Sequence, residues 1–126
     1  MFNFLLVAIG GSIGASIRHI FYIISKSYLS ANYLFINTLL INITGSFFIG
    51  YMIILIGNKN LSQDFIKYFI IIGILGSFTT YSTFSLETIQ LLIDKKFLFA
   101  LLNIFFTITL CLFFTFLGLN LNKFIN

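Results

Sequence analysis

The sequence predicts an all-α integral membrane protein with four transmembrane helices. Three observations lead to this prediction: 60% of the 126 residues are hydrophobic, only 8% are charged, and proline is absent. A soluble domain carries roughly 25% charged residues, and a disordered chain is far less apolar than this one. One spanning helix needs about 20 apolar residues, so residues 1–126 form a single membrane domain with room for roughly four spans.

Polar residues divide the chain into four apolar blocks, at about residues 4–24, 33–56, 65–93 and 97–121. Each block is continuously apolar over more than about twenty residues, whereas the strands of a membrane barrel alternate in pieces of about ten residues. The blocks are therefore predicted to be helices. No Lys or Arg precedes the first block, so we interpret it as a transmembrane helix and not as a cleaved signal peptide.

Basic residues are divided almost evenly between the two sides of a four-span chain. One side carries Lys59, Lys67 and Lys123, and the other carries Lys26, Lys95 and Lys96, with Arg18 near the end of the first span. Since Lys/Arg bias sets orientation, this balance predicts insertion in both directions and an antiparallel, dual-topology homodimer. The alternative is a fixed topology set by features other than loop charge.

The first block contains closely spaced glycines followed by a basic residue. Gly10 and Gly14 form a G-x-x-x-G pattern, which lets helices approach closely. Arg18 lies roughly 21 Å along the helix from Phe4, at about 1.5 Å per residue, and thus near one membrane face. It either reaches the headgroups or supplies a fixed positive charge at an anion vestibule. His19 points elsewhere on the helix.

The second block carries one polar stripe, formed by Thr38, Asn42 and Ser46 at spacings of four. Asn42 is near mid-membrane, where a polar group is expensive. Its amide can donate two hydrogen bonds. It either links helices or faces a pore as a donor.

The third block contains poor helix formers at mid-membrane, namely Gly76, Thr79 and Thr80. A local helix break is predicted there. Carbonyl groups freed by a break must find partners in lipid, and a buried cation is one such partner.

Two aromatic residues and one acid follow the predicted break. Tyr81 and Phe84 share a helix face, and their ring edges carry positive quadrupole charge. They are either a core pair or the lining of an anion path. Glu87, the only acid well inside a block, either pairs with a cation such as Arg18 or forms a proton or cation site.

The fourth block carries a second polar stripe at spacings of four, formed by Asn103, Thr107, Cys111 and Thr115. Its hydroxyls either bond the carbonyl four residues earlier or form a continuous polar track. A single cysteine permits no internal disulfide, and the absence of a basic run argues against nucleic-acid binding. No Ser-His-Asp set or metal cluster suggests an enzyme.

Three stretches resemble one family, the small dual-topology fluoride channels called Fluc or CrcB. They are GGSIGASIR at 10–18, TLLINITGSF at 38–47 and GSFTTYSTFSLE at 76–87. The resemblance implies passive fluoride export through two pores of an antiparallel homodimer in a prokaryotic inner membrane. It also implies a central structural sodium ion, held by the backbone carbonyls of Gly76 and Thr79 of each copy.

The resemblance assigns roles to residues as well. Tyr81 and Phe84 stand where the family has two pore phenylalanines, Asn42 is the pore amide donor and Arg18 lies at the aqueous mouth. Predicted polar lining residues are Ser82, Thr83 and Thr115, to which the stripes add Thr38 and Thr107. Tyr81 departs from the usual phenylalanine and brings a hydroxyl toward the path. The rival interpretation is a small dual-topology cation or multidrug antiporter. Such transporters use an acid in the first helix, and its absence from that block argues against this interpretation, whereas Glu87 keeps it open.

Overall fold

The described part of the chain consists of helical segments joined by short connections. The computed structural model describes residues 1–30, 33–56 and 62–125. In order, the segments are α1 (Phe2–Tyr28), α2 (Phe35–Ile56), a π-helix π1 (Phe65–Leu75), α3 (Gly76–Phe78), α4 (Tyr81–Ile93) and α5 (Phe97–Ile125). The prediction of an all-helical protein is confirmed.

Four stretches are long and apolar enough to cross a membrane, namely Phe2–Tyr28, Phe35–Ile56, Phe65–Ile93 and Phe97–Leu121. α1 extends past the predicted 4–24 span at both ends. At about 1.5 Å per residue its length is roughly 40 Å, which exceeds a hydrocarbon core of about 30 Å and is long enough for both ends to reach the headgroups. The predicted loop at 57–60, with Lys59, lies outside the described residues.

The third span is interrupted at two threonines. Thr79 (φ −73°, ψ 154°) and Thr80 (φ −150°, ψ 112°) are extended, whereas Gly76 (φ −64°, ψ −32°) is helical. The predicted mid-membrane break is therefore confirmed. It falls on the two β-branched residues, which tolerate extended backbone well, and not on the glycine. Before it, the Gly76 N–H donates to the carbonyl of Ile71 five residues earlier, as in a wide π turn.

α1 packs against the first half of the third span through glycine contacts. A Cβ added at Gly10 would collide with the Phe69 carbonyl oxygen, and one added at Gly14 would collide with the Ile74 carbonyl oxygen. Ser77 Oγ donates to the Gly11 carbonyl at 2.9 Å and adds a polar link. The G-x-x-x-G pattern thus provides the close approach expected of it.

α2 lies between α5 and the break. A Cβ at Gly50 would collide with the Thr115 carbonyl oxygen, and one at Gly118 would collide with the Phe47 carbonyl oxygen, so the two backbones touch. Nearer the membrane centre, Gly45 contacts the Thr79 methyl group. The three glycines bring α2 close enough for its polar stripe to reach the break.

Candidate functional site

Asn42 holds the extended backbone at the break. Its Oδ1 accepts from the Thr80 N–H at 2.8 Å, and its Nδ2 donates to the Thr80 carbonyl at 3.1 Å. Asn42 is 8% exposed and Thr80 is 7% exposed, so both bonds lie in the interior. One side chain therefore replaces the helical bond that the Thr80 N–H gives up, and adds a second donor to the N-cap carbonyl of α4. We call this pair of bonds the Asn42 clamp.

The Thr80 side chain starts the next helix. Its Oγ1 accepts from the Thr83 N–H at 3.2 Å, as an N-cap does, and donates to Thr83 Oγ1 at 3.0 Å. Ser82 Oγ lies 3.3 Å from the same oxygen. The hydroxyls of Thr80, Ser82 and Thr83 thus form one cluster at the start of α4.

The break also changes the surroundings of two carbonyl groups. In a continuous helix, the Thr80 N–H would donate to the Gly76 carbonyl and the Thr83 N–H to the Thr79 carbonyl. Here both N–H groups have other acceptors, Asn42 Oδ1 and Thr80 Oγ1. The backbone of Gly76 is exposed on the surface of the single chain. Both carbonyls are therefore free of those donors and can accept from elsewhere.

A cavity of about 330 Å³ opens beside the break, and we call it the break cavity. Its walls include the polar side chains of Asn42, Ser46 and Thr107 and the rings of Tyr81 and Phe84. The ring centroids are 5.4 Å apart with the planes inclined at 50°. Phe84 is 6% exposed, whereas Tyr81 is 78% exposed on the single chain. The cavity therefore offers neutral donors and aromatic edges, with one open side.

A larger cavity of about 600 Å³ lies beside the C-terminal half of α1, and we call it the mouth cavity. It is lined by the predicted residues Arg18, Thr38 and Thr83, and also by Glu87. Thr80 lines both cavities and thus lies between them. Arg18 is half-buried, and its guanidinium supplies positive charge to this cavity only.

Glu87 is held by α2. The Thr38 hydroxyl donates to Glu87 Oε1 at 2.8 Å, across the mouth cavity wall. Glu87 Oε2 is buried and has no hydrogen-bond partner among the described residues. The suggested pairing with Arg18 therefore does not form in the single chain, although both residues line the same cavity.

Sequence comparison identifies the family. The model of the family described as CrcB-like protein, Camphor Resistance (CrcB), matches residues 5–119, which include the break and most of all four spans. The chain belongs to the CrcB family. The resemblance seen in the three motifs is thereby confirmed.

Relatives of this CrcB protein carry a functional name. Proteins from Shewanella sp. (strain W3-18-1), Shewanella baltica (strain OS155) and Shewanella frigidimarina are called fluoride-specific ion channel FluC. They are 42%, 44% and 44% identical to this chain over 118 residues, which is 94% of this chain and 94% of each relative. A CrcB protein with four membrane-capable helices is a multi-pass membrane protein of a channel family, and not an enzyme.

The polar stripe of the fourth span divides in this CrcB protein. Thr107 lines the break cavity, and Asn103 is 2% exposed inside the helix packing. Thr115 Oγ1 donates to the Cys111 carbonyl at 2.9 Å, the local bond expected of a threonine in a membrane helix. Its backbone contacts Gly50 on α2. The structure therefore brings Thr107 to the aromatic pair, whereas Thr115 packs one helix against another.

Several residues of this CrcB protein were not predicted as part of the site. Thr80 was identified as a helix breaker, but its double role as clamp partner and N-cap was not. Thr88, buried on α4, bonds Asn103 on α5 and was missed altogether. A buried threonine one turn after Phe84 was the available signal. The isolated glycines at 50 and 118, within otherwise bulky apolar helices, similarly signalled close packing.

Proposed function

We propose that this CrcB protein is a fluoride-selective channel that exports fluoride passively across the cell membrane and relieves fluoride toxicity. Its relatives named as fluoride-specific channels align over 94% of the chain. The observation that carries the proposal is the break cavity, where uncharged donors and two aromatic rings surround a space next to a buried helix break. The composition of these walls fits a small anion.

The chemistry of the walls suits fluoride in particular. Fluoride is small and strongly hydrated, so a pore must replace its water with other donors. Amide, hydroxyl and ring-edge groups supply positive partial charge without a net charge. Asn42 keeps one amide hydrogen beyond the one it donates to Thr80. A buried lysine or arginine here would hold the ion too tightly to release it.

The path we propose runs from the mouth cavity to the break cavity. Arg18 attracts anions at the wide mouth, and the hydroxyls of Thr38, Thr83 and Ser82 mark the route past Thr80. Thr107 and the rings of Tyr81 and Phe84 then line the narrow part. Thr115 lines neither cavity, and its place in the polar track rests on the family resemblance alone. We expect this narrow, aromatic-lined part to exclude larger halides.

The working unit we propose is an antiparallel homodimer with two pores in a prokaryotic inner membrane. Tyr81 is 78% exposed on the single chain beside a polar cavity, and its hydroxyl would be costly to leave facing hydrocarbon at that depth. A second copy in the opposite orientation would close the open side of the break cavity. The near balance of basic residues between the two sides supports dual insertion.

A structural sodium ion fits the backbone at the break. Oxygen ligands suit a hard cation, and the carbonyls of Gly76 and Thr79 have lost their helical donors to Asn42 and Thr80. Since Gly76 is exposed, the same groups from two copies can meet at one point. When bound, the ion would be coordinated by these carbonyl oxygens and would tie the two broken helices together.

Fluoride efflux from liposomes tests the function directly. Purified protein is reconstituted in vesicles loaded with potassium fluoride, and release is followed with a fluoride electrode after addition of valinomycin, with potassium chloride vesicles as the control. We expect fast, valinomycin-dependent fluoride release and no chloride release. Comparable chloride release would refute selectivity. Flux that follows a proton gradient and not the fluoride gradient would indicate an antiporter instead.

A result without fluoride release also has two separable meanings. Tyr81→Phe restores the usual aromatic residue and removes the hydroxyl. Release by this variant alone would show that the Tyr81 hydroxyl blocks the path. If neither the unmodified protein nor Tyr81→Phe releases fluoride, although each forms a folded dimer, the chain has the family fold without the activity.

A further inference from the structure

A buried chain of hydrogen bonds connects α5 to α4 behind the aromatic pair. Thr107 Oγ1 donates to Asn103 Oδ1 at 3.4 Å, and Asn103 Nδ2 donates to Thr88 Oγ1 at 2.9 Å. Thr88 Oγ1 in turn donates to the Phe84 carbonyl at 2.7 Å. All four residues are between 2% and 8% exposed. We call this chain the Asn103 tie.

The tie has a fixed direction. The Thr88 hydroxyl has one hydrogen, which it gives to the Phe84 carbonyl, so it can only accept from Asn103. The Asn103 amide therefore points its nitrogen at α4 and its oxygen at Thr107. Within apolar surroundings, few other polar groups are available to replace either partner of such a hydrogen bond. The arrangement thus favours one separation and one rotation of the two helices.

The two ends of the tie are both walls of the break cavity. Phe84 forms the wall on α4, and Thr107 forms the wall on α5. Asn103 and Thr88 are absent from the residues that line this cavity. They therefore lie behind it and act on its shape through their neighbours, not through an ion.

We infer that Asn103, acting through Thr88, is a positioning residue that sets the width of the break cavity and so its discrimination between fluoride and larger halides. The inference rests on the proposed channel function. It assigns selectivity partly to a bond that no permeating ion touches. Loss of the tie lets the Phe84 wall and the Thr107 wall separate, which admits chloride.

The main test uses the double substitution Thr88→Val with Asn103→Leu. It removes both partners of the helix-to-helix bond at similar volume, and so leaves neither of them buried and unpaired. Thr107 then has its own local carbonyl as an alternative acceptor. Thr88→Ser keeps the hydroxyl and is the rescue variant. Thr109→Val is the matched control, because Thr109 makes only a local bond to the Phe105 carbonyl on an exposed face.

We expect the double variant to lose roughly fivefold in fluoride-over-chloride selectivity, which corresponds to about 1 kcal/mol for one interhelical hydrogen bond in a membrane. Thr88→Ser and Thr109→Val should keep the selectivity of the unmodified protein. A merely structural role would lower stability without moving this ratio. The ratio is measured in the liposome assay with both anions, on samples that elute as the same oligomer.

Three outcomes would overturn the inference. The first is a double variant with unchanged selectivity. The second is Thr109→Val with the same loss as the double variant, which would make the effect nonspecific. The third is failure of both the double variant and Thr88→Val alone to give folded protein, which would make the tie a folding element. If the unmodified protein transports no fluoride, the proposed function itself is refuted. That outcome is distinct from an unchanged selectivity in the double variant, which refutes only the role of the Asn103 tie.

Discussion

Truncation of Asn42 tests whether the clamp holds the break. In Asn42→Ala, the Thr80 N–H loses its acceptor at 2.8 Å, whereas the Thr80 carbonyl loses the Asn42 donor at 3.1 Å but remains the N-cap carbonyl that starts the α4 ladder. Thr80 is 7% exposed, so water does not readily replace the amide. The Thr80 N–H would then have no acceptor among the described residues of the single chain.

The magnitude follows from what is left unpaired. An unsatisfied buried backbone group such as the Thr80 N–H costs about 1–3 kcal/mol. Taking about 2 kcal/mol, the ratio of intact to rearranged break falls roughly thirtyfold. We therefore expect fluoride efflux to fall by at least about tenfold, together with a lower unfolding temperature.

The assay compares Asn42→Ala with Asn120→Ala. Asn120 also donates through Nδ2 to a backbone carbonyl, that of Phe116, but on an exposed part of α5. Efflux from liposomes and thermal unfolding in detergent are measured for both variants. Lost efflux with an unchanged unfolding temperature would refute the clamp, because it would make Asn42 a pore donor and nothing more. Unchanged efflux would refute both roles.

Three further predictions concern packing, the aromatic pair and the cation. Gly14→Ala should prevent assembly of folded protein, because the added methyl meets the Ile74 carbonyl. Gly11→Ala should be tolerated, since no atom of another described helix lies within 4 Å of the added methyl; gel filtration distinguishes the two variants. Tyr81→Phe should raise fluoride efflux roughly fivefold, because a hydroxyl donor worth about 1 kcal/mol no longer retains the ion; slower efflux would contradict this. Replacement of sodium by N-methyl-D-glucamine should lower the unfolding temperature of the dimer, and an unchanged temperature would argue against the proposed ion.

The fold could be predicted almost completely, because the membrane makes length and composition decisive. Apolar blocks of about twenty residues have few alternatives to a spanning helix. The break was predictable from poor helix formers at mid-membrane, yet its position was not. Gly76 stays helical while Thr79 and Thr80 are extended. Propensity ranks residue types, but the Asn42 clamp decides which peptide leaves the helix.

The sequence predicted which helix faces carry the polar side chains of the site, but not which residues those side chains bond. Spacings of four placed Thr38, Asn42 and Ser46 on one stripe, but Thr38 turns to Glu87 while Asn42 turns to the break. On α5, the same spacing grouped Thr107 with Thr115, which pack in different surroundings. Periodicity specifies a direction around one helix. The partner depends on how far along the neighbouring helix the contact falls, and only the packing of backbones through glycines sets that register.

The geometry of one broken helix suggests how a single short chain could serve two ions of opposite charge. Two N–H groups displaced at the break, those of Thr80 and Thr83, are paired inside the chain. The carbonyls of Gly76 and Thr79 lose these donors and are left as acceptors, which suits a cation. On the other side, the break cavity presents amide, hydroxyl and ring-edge groups, which suit an anion. Separation of acceptors from donors around the same two residues would let the proposed sodium stay bound while fluoride passes, because neither ion meets the ligands of the other.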